Sequence, residues 1–237
     1  MPPPDLGLLR VGDTVPLNLT GSGLSDAPIN FYVRRACVDL WKHLSAQKTP
    51  VSCILGSMGI GKSLEVYAYA MREASVHGKR VIYVHTDDNE VFDLLAAGGD
   101  GVRSSHVKLK VPVWSFVQSA LEQKSVDLIV LDGNLPDLIP VVFAALRGYP
   151  GVRLISCTNF QAIPTAGRSE HENYIVDSWT KEELQRAVDK KALVLDPSVE
   201  SLDEAYFYAG GCARMMQWPV QKTMQLLDAA IDEALGK

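Results

Sequence analysis

Cysteine and histidine are sparse in this sequence, and neither forms a recognisable metal or catalytic pattern. The five histidines belong to no His-Glu-x-x-His or catalytic Cys–His arrangement. The four cysteines are too far apart for zinc sites or redox motifs; they are Cys37, Cys53, Cys157 and Cys212. Metalloprotease and thiol-hydrolase functions therefore have no support in the sequence, and we expect four reduced cysteines that pack as small apolar side chains.

Long apolar runs and an excess of basic charge are also missing. No stretch is long and apolar enough to span a bilayer, and the first residues lack the basic start and apolar middle of a secretory signal. The 23 basic residues against 28 acidic ones, a net charge of −5, give no general attraction to nucleic acid or anionic lipid. We expect a soluble chain without a membrane partner, and the sequence by itself favours the cytoplasm.

What is present is enough apolar material for one substantial core. The chain has 237 residues, 47% of them hydrophobic, which suits one α/β domain with a small appended module. Proline and glycine near the start predict an irregular arm over residues 1–27. Strand patterns alternating with helix patterns predict βαβ units and a mainly parallel sheet over residues 28–175. An all-helical pattern follows, which predicts a small lid over residues 176–237.

The most informative segment is a glycine-rich turn between a strand pattern and a helix pattern. It has the sequence Gly-Ser-Met-Gly-Ile-Gly-Lys-Ser and follows the apolar run Val51–Leu55. Glycines let successive backbone N–H groups face a phosphate, and the helix adds its positive end, so the segment predicts a P-loop. Lys62 is expected to reach the β- and γ-phosphates, and the Ser63 hydroxyl to bind Mg²⁺. The predicted nucleotide-binding residues are Gly56, Ser57, Met58, Gly59, Ile60, Gly61, Lys62, Ser63 and Leu64.

A second half of the site is predicted where an apolar run ends in Asp132. The run Val126–Leu131 predicts a buried parallel strand, and ligands bind beyond the carboxyl ends of such strands. Asp132 is therefore expected to hold Mg²⁺ directly or through water, as a Walker B aspartate does. An aspartate that starts a turn with Gly133 and Asn134 is the alternative.

Polar residues also follow the next predicted strand, residues 151–157. Thr158 or Asn159 could hydrogen-bond the attacking water or the γ-phosphate, and Asn159 is the candidate catalytic residue. A simple turn is the alternative, because turns favour both residue types.

Local patterns predict the remaining elements. Helical spacing predicts an amphipathic helix from Ile29 to about Gln47, and a capping box predicts a helix start at Thr180. The last helix is expected to bury Met215, Met216, Met224, Leu227 and Ile231. The other expected elements are a strand at 80–85, a short helix from Asp87, an edge strand at 106–111, helices at 113–123 and 138–146, a polar loop at 161–173, and a helix that closes at 210–211.

Five segments together resemble the P-loop domain shared by crinkler effectors and trypanosome retrotransposon hot spot proteins. They are Phe31–Arg34, Gly56–Ser63, Leu131–Gly133, Trp179–Leu184 and Gly210–Arg214. The resemblance implies an α/β fold of the three-layer P-loop NTPase class, with ATP and Mg²⁺ as ligands and a C-terminal helical lid. By similarity to AAA and STAND ATPases, Arg214 in the lid would approach the γ-phosphate. Secretion, delivery into a host cell and a host or nuclear partner are likewise implied by the resemblance alone.

The chain departs from the family in two respects. It shows neither the family's Leu-x-Leu-Phe-Leu-Ala-Lys translocation motif nor a nuclease-like module. Many hydrolysing relatives also place a glutamate directly after the Walker B aspartate, where this chain has Gly133. General-base help is worth about 10²- to 10⁴-fold, so hydrolysis should be slow unless a substitute such as Asp137 acts. No residue is assigned as an arginine finger, the arginine that contacts the nucleotide of a neighbouring subunit. Arg147 or Arg153 could reach the site of a neighbouring subunit in a homo-oligomer.

These observations favour a slow, Mg²⁺-dependent nucleoside triphosphatase in which lid closure is a switch. ATP is the default nucleotide because no guanine-selective Asn-Lys-x-Asp sequence follows the core strands. The alternative is a nucleotide-gated protein-interaction module that does not hydrolyse. A small-molecule kinase fits less well, since the loop over residues 161–173 offers only Arg168 as a basic residue.

Overall fold

The structure is a computed structural model that describes residues 9–17, 19, 24, 28–86, 91–96, 102–107, 113–133, 138–158 and 171–234. The chain divides into two compact units. The first comprises Met1–Gly56 and Lys62–Val176, and the second comprises Ser57–Gly61 and Asp177–Lys237.

The first unit begins with a two-stranded antiparallel sheet. Strand β1 (Thr14–Leu17) pairs with β2 (Ile29–Tyr32), so that Thr14 faces Tyr32. The residues from 29 to 32 were predicted to be helical, but the helix, α1, spans only Arg35–Ala46. The expected irregular arm likewise contains strand β1. Both errors have one cause, because the pairing of β1 with β2 joins residues distant in sequence, which local periodicity does not reveal.

A mainly parallel sheet forms the centre of this unit. Five strands run parallel in the order β4, β7, β8, β3, β9, and two antiparallel strands, β5 and β6, extend it beyond β4. The strands are β3 (Val51–Leu55), β4 (Val81–Thr86), β5 (Val91–Ala96), β6 (Val102–Val107), β7 (Leu128–Gly133), β8 (Arg153–Cys157) and β9 (His171–Ile175).

Helices flank the parallel strands because alternate residues of each strand face opposite sides. One side packs against helices α3 (Val113–Glu122) and α4 (Leu138–Leu146), with Val117 and Val142 fully buried in the shared core. Helix α2 (Lys62–His77) packs against β4, β7 and β8. The fold is therefore α/β, a five-stranded parallel sheet flanked by helices, and it is compatible with three layers.

Two predictions for this unit were wrong in the described residues. After β4 the short helix expected from Asp87 is replaced at 91–96 by strand β5; residues 87–90 themselves lie outside the described part. A polar loop was expected over 161–173, but strand β9 begins at His171 and pairs along its whole length with β3. The edge strand expected over 106–111 begins earlier than predicted: the observed strand, β6, spans Val102–Val107 and is the terminal strand of the described sheet, while residues 108–111 lie outside the described part.

The described residues of the second unit form three α-helices, α5 (Lys181–Asp189), α6 (Leu202–Ala209) and α7 (Val220–Ala234), and a short 3₁₀ helix at Met215–Gln217. The capping box at Thr180 is confirmed, with Glu183 as its reciprocal partner. Helix α6 ends at Gly210, whose φ of +55° is in the left-handed region that favours glycine.

The expected burial of the last helix is wrong for part of its apolar stripe. Met216 is buried, but Met224 and Leu227 are 41% and 38% exposed. Helical spacing identified an apolar stripe correctly but could not show whether a neighbouring element covers it. Among the described helices, none is long and apolar enough to cross a membrane.

Candidate functional site

Asp132 lies near the carboxyl end of β7 and is the centre of a buried hydrogen-bond network. Ser63 Oγ, from the first turn of α2, donates to Asp132 Oδ1 at 2.9 Å. From β4, the Tyr83 hydroxyl donates to Oδ2 at 2.6 Å, and His85 Nδ1 lies 2.9 Å from the same oxygen. Asp132 is 2% exposed. A buried carboxylate is stabilised only when its oxygens are hydrogen-bonded, and both oxygens of Asp132 are.

The strand register explains this network. Strands β4 and β7 are parallel neighbours, with His85 opposite Asp132 and Tyr83 opposite Val130. Tyr83, His85 and Asp132 have the same alternation and therefore share one face of the sheet. Ser63 reaches that face from α2.

Burial and the Asp132 carboxylate both raise the pKa of the Tyr83 hydroxyl well above its usual value. Burial, and then the same carboxylate, also raise the pKa of the Cys157 thiol at the end of β8. Both groups therefore stay protonated at neutral pH. Tyr83 is fixed as a hydrogen-bond donor to Asp132, and Cys157 is unsuited to act as a thiolate nucleophile.

Lys62 is the first residue of α2, and its side chain turns back to the start of the loop. Lys62 Nζ donates to the Gly56 carbonyl at 2.8 Å, and the residue is 9% exposed. A buried ammonium beside a helix start adds positive charge where the N–H groups of the first helical turn already carry the positive end of the helix dipole. This is an arrangement suited to an anion.

Arg34, just before α1, and Trp41, within α1, anchor the beginning of α2. Arg34 Nε donates to Glu65 Oε1 at 2.7 Å, and both residues are buried. Trp41 Nε1 donates to the Glu65 carbonyl at 3.0 Å. Removing one partner of a buried ion pair costs about 3–5 kcal/mol because the other charge is left uncompensated, so loss of either Arg34 or Glu65 should destabilise this part of the fold.

The tip of the loop, residues 57–61, belongs to the second unit. Three successive carbonyls of the tip accept hydrogen bonds there. Trp179 Nε1 donates to Ile60 O at 2.8 Å, and the Arg214 backbone N–H donates to Gly59 O at 3.2 Å. The Cys212 thiol donates to Met58 O at 3.4 Å.

Gly59 and Gly61 have φ angles of +75° and +101°. These are left-handed conformations that other residues adopt only with strain, so glycine is required at both positions. Left-handed glycines in a turn let successive N–H groups converge into a concave anion-binding nest.

The other predicted residues have varied surroundings. Thr158 follows β8 and is 4% exposed, and its hydroxyl has no hydrogen-bond partner within the described residues. The Arg214 side chain is exposed, and Leu64 is partly buried in α2. Predictions that lie outside the described residues concern Asn134, Asp137, Asn159 and Arg168.

The two candidate finger arginines have different surroundings. The Arg147 guanidinium is 6.0 Å from the ring centre of Phe143. Arg153, at the opposite end of its strand from Cys157, hydrogen-bonds the Leu44 carbonyl near the end of α1. The structure therefore gives Arg153 a role in joining β8 to α1.

The donor set around Asp132 fits Mg²⁺, which prefers hard oxygen ligands. Ser63 donates its proton to Asp132, so the serine oxygen keeps its lone pairs for a cation. Asp132 supplies a carboxylate beside it. Hydroxyl and carboxylate oxygens at this spacing are the ligands by which P-loop proteins hold the metal.

Tyr83 and His85 were not identified from the sequence. Their strand was predicted, but their role depends on β4 being the neighbour of β7, which only the strand order provides. Polar aromatic residues at alternate positions of an otherwise apolar strand were the available signal. No protein-family model matches this chain, and no curated protein matches it.

Proposed function

We propose that this chain binds a nucleoside triphosphate, ATP by default, together with Mg²⁺, and hydrolyses it slowly. One observation carries the proposal. Ser63, which follows Lys62 at the start of α2, hydrogen-bonds Asp132 at the carboxyl end of a parallel strand. Ligands of open α/β sheets bind at this end, and these three residue types suit a phosphate chain with a divalent metal.

Each residue has a distinct role in the proposed complex. The N–H groups of the loop and of the start of α2 bind phosphate oxygens, and Lys62 adds a positive charge near the β- and γ-phosphates. Ser63 and Asp132 hold Mg²⁺, which when bound neutralises negative charge on the β- and γ-phosphate oxygens. Tyr83 and His85 keep the Asp132 carboxylate in one orientation.

The water that attacks the γ-phosphate requires a positioning group. Thr158 is a candidate because its buried hydroxyl has no partner among the described residues, and such a hydroxyl costs stability unless another group, a ligand or water satisfies it. Asn159 remains the second candidate, and Asp137 the substitute base. Since Gly133 occupies the usual glutamate position, we expect turnover to be slow.

The C-terminal helices are proposed to act as a lid whose closure depends on the γ-phosphate. Arg214 is the proposed γ-phosphate ligand, since its side chain is exposed and its backbone N–H binds Gly59 of the loop. A guanidinium suits this role because it forms strong charge-assisted hydrogen bonds with phosphate.

A non-hydrolysing, nucleotide-gated interaction module is the second candidate, and the backbone at Gly133 favours it. Gly133 has a φ of +116°, so a glutamate there would be strained. A single Gly133→Glu substitution would therefore not restore the usual hydrolytic arrangement of an aspartate followed by a glutamate. In this version, nucleotide binding changes the surface that a partner recognises.

The wider biological role follows from the resemblance to crinkler effectors. We propose an effector-like NTPase delivered to a host cell, with a host protein or nuclear component as partner. A cytoplasmic protein acting on its own, or as a homo-oligomer, is the alternative.

Calorimetric titration with ATP and Mg²⁺ tests the proposed function. The parent chain should bind ATP, Lys62→Ala should lose binding, and Lys48→Ala, an exposed lysine before β3, should bind like the parent. Equal ATP affinity in Lys62→Ala and the parent would refute the site. A phosphate-release assay then separates the candidates, because turnover that Asp132→Ala abolishes rules out the non-hydrolysing module.

A further inference from the structure

We infer that Trp179, with Cys212 and the Arg214 backbone, forms a carbonyl clamp that presets the phosphate-binding face of the loop. The inference rests on the proposed function and names positioning residues for it. The clamp consists of three hydrogen bonds to successive loop carbonyls, those of Met58, Gly59 and Ile60.

The geometry of the peptide unit gives the clamp its effect. In a trans peptide, the carbonyl of one residue and the N–H of the next point in opposite directions. Holding the three carbonyls on the clamp side therefore turns the N–H groups of Gly59, Ile60 and Gly61 the other way. These three N–H groups are the ones expected to surround phosphate oxygens.

The packing around the clamp is close enough to define one loop conformation. A Cβ atom added to Gly59 would lie 2.4 Å from Cys212 Sγ. A Cβ added to Gly211 would lie 2.7 Å from the Trp179 carbonyl and 2.8 Å from its nitrogen. The Trp179 backbone N–H also donates to Gly211 O at 3.2 Å, so Trp179 is fixed by its own chain before it binds the loop.

Trp179 is the member of the clamp that can be tested by substitution, because its bond to Ile60 O comes from the side chain and is the shortest of the three. Trp179→Phe keeps an aromatic ring and removes the N–H donor. Trp218→Phe is the matched control, because Trp218 lies in the same unit and is similarly part-buried. Its ring contacts Lys222, whose Nζ lies 4.2 Å from the ring centre.

The first measurement is the affinity of the full chain for ATP and for inorganic tripolyphosphate, both with Mg²⁺. Loss of one hydrogen bond that orients the nest should weaken binding by about 2- to 12-fold. The loss should be equal for both ligands, since the clamp acts on the phosphates. Trp218→Phe should bind like the parent. Parent-like affinity in Trp179→Phe, or a loss confined to ATP, would overturn the clamp.

A spectroscopic measurement distinguishes positioning from simple structural support. In the parent labelled with ¹⁵N-tryptophan, the indole N–H resonance of Trp179 should shift when tripolyphosphate binds, whereas that of Trp218 should not. A Trp179 resonance unchanged at saturation would contradict the clamp. So would a Trp179→Phe variant that melts at a lower temperature than Trp218→Phe yet keeps the parent's affinity.

A glycine pair provides a second variant if Trp179→Phe folds poorly. Gly59→Ala and Gly78→Ala both place a side chain at positive φ, +75° and +63°, but only Gly59 has neighbours within 4 Å. Gly59→Ala should weaken tripolyphosphate binding by at least about tenfold relative to Gly78→Ala. Equal affinities in the pair would count against the clamp. If the parent binds tripolyphosphate and Lys62→Ala does not, parent-like binding in the clamp variants overturns the clamp alone. If the parent itself binds no phosphate chain, the proposed function is wrong as well.

Discussion

Two aspartates at the two ends of strand β7 are held in different ways. Asp127, just before the strand, is 40% exposed and forms an ion pair with Arg80, whose Nε lies 3.1 Å from Oδ2. Asp132, near the other end, is buried and receives hydrogen bonds from Ser63 and Tyr83, with His85 at the same oxygen. Both carboxylates lie beside β4, so the sheet itself does not explain the difference.

The comparison indicates which carboxylate suits the proposed metal site. Arg80 offers Asp127 two side-chain contacts and its backbone N–H, and this ion pair ties the start of β4 to β7. The hydroxyl donors of Asp132 orient it without a full positive charge, and His85 forms an ion pair with it only when protonated, so a neutral His85 leaves the negative charge of Asp132 available to a cation. A buried carboxylate of this kind at the ligand-binding edge of a sheet indicates function, whereas an exposed ion pair at the opposite edge indicates structure.

The largest expected effect separates the two aspartates by their response to magnesium. Asp132→Asn should bind ATP in the presence of EDTA as the parent does, but should lose the gain in affinity that Mg²⁺ gives the parent. Asp127→Asn should keep that gain in full. Calorimetry with and without Mg²⁺ measures both variants. Loss of the Mg²⁺-dependent gain in ATP affinity in Asp127→Asn, or its retention in Asp132→Asn, would contradict the roles assigned to the two aspartates.

A second prediction concerns the orientation of Asp132. Tyr83→Phe removes a 2.6 Å hydrogen bond to the buried carboxylate, and hydrogen bonds to charged groups contribute about 1.5–3 kcal/mol. The free energy of unfolding should fall by about that amount in urea titrations. Tyr149→Phe is the control, because its hydroxyl has no hydrogen bond to any described residue and its ring packs against the core. A fall no larger than that of Tyr149→Phe would mean that Tyr83 does not hold Asp132.

The next strand allows the same kind of comparison between Ser156 and Thr158. Both hydroxyls are buried and have no partner among the described residues, but only Thr158 follows the carboxyl end of β8. Thr158→Val should leave ATP affinity unchanged and lower the rate of phosphate release by about 5- to 10-fold, as expected for losing one hydrogen bond to the attacking water. Ser156→Ala should change neither quantity. Identical phosphate-release rates in the parent and Thr158→Val would remove Thr158 from the proposed reaction.

The residues that could be predicted from sequence are those whose role is local. The apolar runs of β3, β7 and β8, bounded by glycine, proline or charged residues, gave strands at nearly the observed bounds. Lys62, Ser63 and Asp132 were predicted as site residues because the chemistry of a phosphate site fixes their types and their places relative to a strand and a helix, and the structure brings Ser63 into contact with Asp132. The capping box at Thr180 was also predictable, since both of its hydrogen bonds lie within four residues.

What could not be predicted depends on contacts between distant parts of the chain. His171–Ile175 is a polar segment that becomes a strand because β3 offers it a free parallel edge. Tyr83 and His85 are site residues only because β4 lies next to β7. Trp179 Nε1 hydrogen-bonds the Ile60 carbonyl, which is 119 positions away in the sequence. None of these follows from periodicity or spacing.

The smallest expected effect is the pH dependence that Asp127 contributes to stability. Hydrogen bonds from the Arg80 side chain lower the pKa of Asp127 below 3.8. Because the folded state has the lower pKa, the stabilisation is present above the unfolded pKa and is lost as the pH falls through the folded one. The pair is exposed, so the contribution should be under about 1 kcal/mol and weaker still in high salt. Urea midpoints at pH 6 and pH 3 should therefore differ less in Asp127→Asn than in the parent, and an equal difference would show that Arg80 does not stabilise the start of β7 through its charge.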